Sequence, residues 1–232
     1  MRRAGHTREQ IAQAALRIAD AEGFEAVSMR RIAGELRAGT MTLYHYVRDK
    51  GELLSLMDDA VMGEVLVPDA ELSADWREAL TAIAVRTRAT FARHPWALEG
   101  LRGAEGGPNG VRHFEQSLAA VAGTGLDDRG KLDLIALVDE YVIGFVTREA
   151  AQRAGLPAEG VEELLEQLPD SMLAWFESLL RSGEFPHIAA LAGGGGAREA
   201  VAVLASVAGD EERFDRGLGT LLDGIAGRLP RG

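Results

Sequence analysis

The run Thr40-Met41-Thr42-Leu43-Tyr44-His45-Tyr46-Val47, with Arg30 ahead of it and Lys50 behind, gathers side chains able to grip a nucleic acid. Hydroxyls and an imidazole can hydrogen-bond to phosphate oxygens or to base edges. Cations add an attraction to the polyanion that depends on salt but not on sequence. This is recognition chemistry, with no bond made or broken. Leu43 and Val47, four residues apart, fall on one helix face and can anchor the segment. Thr40, Thr42, Tyr44 and His45 then project from its N-terminal half.

Upstream, Ser28-Met29-Arg30-Arg31-Ile32-Ala33-Gly34-Glu35-Leu36 reads as a second short helix. Ser28 can cap it, and Ile32, Ala33 and Leu36 share one side. Two short helices joined by three or four residues have helix-turn-helix spacing, in which the second helix meets the DNA. An ordinary helical hairpin with a polar cap has the same pattern, because the second helix is too short to hold itself.

Other chemistry finds less support. Residues 125–132 superficially match a phosphate-binding G-x-x-x-x-G-K-[S/T] loop. However, Leu132 replaces the hydroxyl residue, two aspartates would face the phosphates, and no strand precedes it. A helix start with acids placed favourably in the macrodipole explains it better. The five histidines (His6, His45, His94, His113, His187) form no H-E-x-x-H, and no G-x-S-x-G elbow occurs, so no catalytic residue, metal or cofactor is expected. The rival to a binding protein is an all-helical enzyme acting on a hydrophobic substrate, and its acid, base or metal set is not found. A helical interaction protein that has lost DNA binding is a third possibility.

The elements that must position these residues are helical almost throughout. Ile11, Ala14, Ala15, Ile18 and Ala19 recur at 3-4 spacing over residues 7–22, with Thr7 and Gln10 as a capping box and Gly23 as the stop. Asp49 with Glu52 opens a fourth helix carrying Leu53, Leu56 and Met57. Beyond Pro68, helices are expected from near residue 73, at residue 96, over residues 111–122, over 127–154 and over 210–229, with a loop at 103–110 and a glycine linker at 193–196. The expected fold class is all-α, nine or ten helices, with a three-helix head and a larger body. Domain bounds are expected at 1–50 for the head, 51–67 for a connecting helix and 68–232 for the body.

Two of these helices read as interfaces. The helix over 127–154 is apolar on more than one face, and Leu134, Val138 and Val142 are expected to meet a second copy. The last helix carries Phe214, Leu218, Leu221, Leu222 and Ile225 in a stripe, beside glycines whose propensity cost suggests close approach. A homodimer follows.

Charge divides along the chain. Residues 1–50 hold nine Lys/Arg against six Asp/Glu, and residues 51–232 hold sixteen against thirty, within a net charge of −11. A mildly basic head on an acidic body fits a nucleic-acid partner for the head alone. With no cysteine, no signal segment and no apolar run near the roughly 20 residues of a membrane span, a cytoplasmic protein is expected. Lysine occurs only at Lys50 and Lys131, a hint of a GC-rich bacterial genome.

The stretch from Thr7 to Val61, above all Thr-Leu-Tyr-His-Tyr-Val followed by Lys50, resembles the DNA-binding domain of the tetracycline-repressor (TetR) family of bacterial regulators. The remainder is similar in architecture, nearest the subgroup of the tetracycline repressors themselves. The resemblance implies a repressor released from palindromic operator DNA by a small molecule. Under it Arg30 and Lys50 would contact phosphate, with Thr40, Met41, Thr42, Tyr44 and His45 facing the major groove and Ser28 beside them. The family usually has glycine at Arg37, so Arg37 must turn left-handed or close its helix differently, and its guanidinium adds a candidate phosphate contact. The resemblance also implies a ligand cavity in the body, for which the candidates are Trp96, Phe114, Tyr141, Phe145 and Trp175 with the polar His113 and Glu140. The ligand is expected to be small and largely apolar, since no set of Mg²⁺ ligands for a chelated tetracycline is found.

Overall fold

A computed structural model describes residues 6–102, 104–155, 165–207, 210 and 212–229. Among the described residues the chain is helical, with short 3₁₀ turns and no strand. The head comprises α1 (Arg8–Glu22), α2 (Met29–Glu35) and α3 (Thr40–Leu43), and α4 (Lys50–Val65) runs out of it. Then come α5 (Trp76–Arg93), α6 (Ala97–Gly100), α7 (Pro108–Ala120) and α8 (Asp128–Gly155). Further on lie α9 (Asp170–Arg181), α10 (Pro186–Leu191), α11 (Gly196–Ser206) and α12 (Arg213–Ala226). No helix among the described residues is long and apolar enough to cross a membrane.

Local chemistry sets the boundaries. Thr7 and Gln10 form the expected capping box on α1, and Gly23 ends it. Asp49 caps α4 by accepting from the Glu52 amide. Helix α5 starts at Trp76, later than expected, because Asp75 accepts from the amides of Arg77 and Glu78. Helix α7 starts three residues early, with Pro108 at its first position, where the missing N–H costs nothing. The glycine run is a tight turn between α10 and α11, with positive φ at Gly193, Gly194 and Gly196.

The chain forms two compact units, residues 1–147 with 221–232, and residues 148–220. In the first, Ile11, Ala15 and Ile18 of α1 pack with Ile32 of α2, Leu43 of α3 and Val47. Leu53, Met57 and Val61 of α4 enter the same cluster, and so do Ala97 of α6 and Leu101. In the second, Glu177 on α9 accepts from the Ala197 amide and so caps α11. Phe214 and Leu218 of α12 are buried within the chain.

The expected interface residues divide. Leu134, Val138, Val142, Phe214, Leu218 and Leu222 are each at most 3% exposed within the single chain. The chain's own packing takes them up, so they present no face to a second copy, and the stripe that suggested an interface is the inner side of each helix. Leu221 and Ile225 remain partly exposed. The outer side of α8 leaves Ala136, Leu137, Ile143 and Gly144 exposed instead.

Met57, fully buried at the middle of α4, tests whether this cluster is one core. Met57→Ala is expected to cost about 2–5 kcal/mol in denaturant unfolding, with helicity at zero denaturant retained. An unchanged unfolding midpoint would show that α4 does not share the head's core.

Candidate nucleic-acid interface

Helix α3 is barely one turn long, and its hold on the protein is apolar. Leu43 and Val47 are completely buried, as their spacing predicts. The backbone continues past α3 as a turn, with the amides of Tyr46 and Val47 both bonded to the Leu43 carbonyl. With these two side chains turned inward, the others point out. Met41 is 75% and Tyr44 42% exposed, and Thr42 and His45 are exposed as well. Thr40, at the first position, is half-buried. Met41 and the outer part of the Tyr44 ring thus lie beside the hydroxyl of Thr42 and the imidazole of His45 on one solvent-facing segment.

Helix α2 sets the approach to α3. Ser28 caps it, its hydroxyl accepting from the Arg31 amide at 3.2 Å. Arg31 is occupied within the head: its Nε lies 3.0 and 3.2 Å from the two Glu22 oxygens, and its Nη1 is 3.3 Å from Glu35. Arg30, one residue away, is exposed and makes no ion pair among the described residues. The sequence does not distinguish the two arginines; only the fold assigns one to packing and leaves the other free.

Arg37 resolves the departure from glycine. Its φ is +51°, and it is the single non-glycine residue with positive φ among the described residues. The Ala38 amide bonds to the Ala33 carbonyl at 2.9 Å and the Arg37 amide to that of Gly34 at 3.2 Å. These two bonds are a Schellman closure with arginine in the left-handed position. The turn geometry is therefore kept, with some backbone strain, and the guanidinium stands exposed beside α3.

One carboxylate that sequence reasoning read only as a helix-start residue organises the far end of this surface. Glu52 accepts from the Arg48 amide at 2.7 Å, from the Arg48 side chain at 3.2 Å and from Arg8 at 2.6 Å. Arg8 also donates to the Tyr46 carbonyl at 2.9 Å. Glu52 thus joins the start of α1, the turn after α3 and the start of α4. The Arg48 amide first, and then Arg8, lower its pKa from the ordinary 4.5 to about 2. Lys50 stands exposed two residues before Glu52, without an ion pair among the described residues.

The residues expected to meet an effector stand in differing surroundings. Trp96 is committed to the head: its indole N–H donates to Asp20 at 2.7 Å and its ring stacks on Phe24. Glu140 lies on the exposed side of α8. Phe114 is 47% and Trp175 61% exposed, the latter beside Phe176 on α9. Tyr141 and Phe145 pair with centroids 6.1 Å apart, and Arg88 lies 5.1 Å above the Phe145 ring. His113 is mostly buried on α7, with an Nδ1 that has no hydrogen-bond partner, and burial lowers its pKa. A cleft of about 960 Å³ instead opens between α1, α4 and residues 105–109, lined by none of them.

Two expectations follow from the head's geometry. Arg37→Gly should stabilise it by about 1 kcal/mol, read as a higher Tm, since glycine adopts this φ without strain; a lower Tm would mean that the arginine side chain contributes more than its backbone costs. Because the Glu52 pKa is depressed on folding, its stabilisation is full above about pH 4.5 and is lost as pH falls towards about 2. Acid titration by circular dichroism should therefore show this loss in the wild type and a smaller one in Glu52→Gln.

Comparison with known proteins adds a second line of evidence. Residues 11–57 match the family model of bacterial regulatory proteins, tetR family, and residues 68–229 match that of the tetracyclin repressor-like C-terminal domain. The HTH-type transcriptional repressor DrrR1 of Streptomyces coeruleorubidus is 36% identical over 225 residues, which cover 94% of this chain and 77% of that protein. The Streptomyces coelicolor TetR family protein ActR, crystallised with actinorhodin, superposes with a TM-score of 0.69 at 27% identity over 99% of both chains. The S. coelicolor regulator SCO7222 has the same fold, with a TM-score of 0.70 at 23% identity over 97% of this chain and all of that one.

Proposed function

The chain belongs to the tetR family of bacterial regulatory proteins, and from that premise we propose that it is a homodimeric repressor whose heads read a palindromic operator until a small molecule releases them. It is a DNA-binding transcriptional regulator; its relatives are named as regulators and repressors, not enzymes. The observation that carries the reading is α3 itself, anchored by Leu43 and Val47 while Met41, Thr42, Tyr44 and His45 stand in solvent. In this assignment Thr40, Met41, Thr42, Tyr44 and His45 meet base edges, and Ser28, Arg30, Arg37 and Lys50 meet the backbone. Residues 1–50 serve as the reading head, 51–67 as the connecting helix and 68–232 as the effector and dimerisation body.

The dimer reading now rests on the outer faces of α8 and α12. Ala136, Leu137, Ile143 and Gly144 lie exposed on α8, with Asp133 and Glu140 on the same face. On α12, Leu221 and Ile225 are half exposed, and a Cβ at Gly224 would meet nothing within 4 Å. Glycines on an open helix face permit close approach by a second helix.

The effector reading is supported by ActR, which was crystallised with actinorhodin. Within this chain the side chains best suited to it are His113, Tyr141 and Phe145. A buried ring nitrogen without a partner is a polar group left for a ligand to satisfy. Ligand acts only by binding the released arrangement more tightly, with a coupling of about 1–3 kcal/mol typical.

A mobility-shift assay on the intergenic DNA beside the protein's own gene tests DNA reading. Tyr44→Ala is expected to weaken binding by about 1–3 kcal/mol while shifting Tm little, because the ring faces out. Unaltered affinity in a folded Tyr44→Ala protein would remove α3 from the interface.

A further inference from the structure

Helix α4 is the covalent route from head to body, and a second route bypasses it. Asp20, in the last turns of α1, accepts the Trp96 indole N–H at 2.7 Å and lies 2.7 Å from Nδ1 of His94. With the proton on Nδ1, both contacts are donations to one carboxylate from a segment just three residues long. The Trp96 ring lies on Phe24, with centroids 5.8 Å apart and planes 15° from parallel. Helix α6 follows so closely that a Cβ on Gly100 would stand 2.8 Å from the Phe24 ring. On its other side, His94, only 5% exposed, places Nε2 3.2 Å from Glu64 of α4, which Arg93 also holds at 2.8 Å.

We propose that Asp20 is a positioning residue: through Trp96 and His94 it fixes the angle of the head on the body and so the separation of the two heads. The proposal rests on the dimeric reading above. Charge-assisted hydrogen bonds are directional, and two of them from a rigid aromatic segment define an orientation rather than mere proximity. The head does not need Asp20 to fold, because its core is the apolar cluster of α1, α2, α3 and α4, to which Ala97 and Leu101 add at one edge. Without the carboxylate each head stays folded but swings. A swinging head still reads one half-site, whereas two swinging heads lose the advantage of a fixed spacing, which is an effective-concentration effect.

Fluorescence anisotropy with two duplexes separates these outcomes: the operator footprinted in the intergenic DNA, and the same DNA with one half-site scrambled. Full-length wild type, Asp20→Asn and Trp96→Phe are compared. Asp20→Asn keeps the shape and loses the charge; Trp96→Phe keeps an aromatic ring against Phe24 but loses the N–H together with part of the stacked surface. Affinity for the whole operator is expected to fall at least about tenfold in Asp20→Asn and less in Trp96→Phe, while half-site affinity stays within about twofold. Equal losses on both duplexes would show a damaged head and overturn the proposal, as would undiminished affinity for the whole operator. A wild type that does not prefer the whole operator would end the dimeric reading, and the positioning role with it, before any variant is compared.

Discussion

The buried face of α4 is the constraint on which the other parts depend. Leu53, Met57 and Val61 recur at 4-residue spacing and insert into the same cluster as Ile11, Ile32 and Leu43. A head of this size, with helices of seven and four residues, cannot bury enough surface to stand on its own. It completes its core with a helix whose other side faces the body. The head is therefore stable only in a form already attached to its control element, and a change of angle in α4 is also a change within the head's core.

Close backbone approaches hold α4 where it is. The Asp59 carboxylate accepts from the Asn109 amide at 2.7 Å, and the Asn109 side chain donates to the Asp59 carbonyl at 2.9 Å. Asp59 thus acts as an external cap on the start of α7, whose own N-cap, Gly107, supplies no side chain. A Cβ at Gly107 would collide with Asp59, and one at Gly63 would come within 2.9 Å of Asn109. Glycine at both positions lets the two helices interlock. Displacing α7 would break charge-assisted bonds unless α4 moved with it.

Much of the head was legible because its signals are local. The Thr7 capping box, the Ser28 cap, the Asp49 cap and the Leu43–Val47 anchor all depend on neighbours within four residues, and each stands as the spacing predicts. Arg37 was legible as a conflict, and its positive φ shows which way the conflict was resolved. The body was less legible, because an apolar stripe identifies an inner face without saying what covers it. Leu134, Val138 and Leu222 carried the right periodicity and were assigned to the wrong partner. Trp96 shows the same limit: an aromatic residue in the body's sequence packs against the head rather than lining a cavity in the body. The link between Asp20 and Trp96 spans 76 residues, and no pattern in either segment announces it.

The charges of the head bear on how it can read DNA. Although residues 1–50 carry more cations than anions, much of that charge is spent internally: Arg8 and Arg48 on Glu52, Arg31 on Glu22, and Arg17 and Arg31 on Glu35. Arg30, Arg37 and Lys50 remain exposed without an ion pair among the described residues, close to α3 in sequence. Each such cation placed against phosphate would add a salt-dependent contribution to binding. In the proposed reading, discrimination falls to the neutral side chains of α3, whose hydroxyls suit base edges. Arg31, adjacent to a free cation, is held at the surface by Glu22 and Glu35. A carboxylate beside a cation cancels part of its pull on a polyanion, so in the proposed reading Glu22 and Glu35 temper the non-specific attraction of the head.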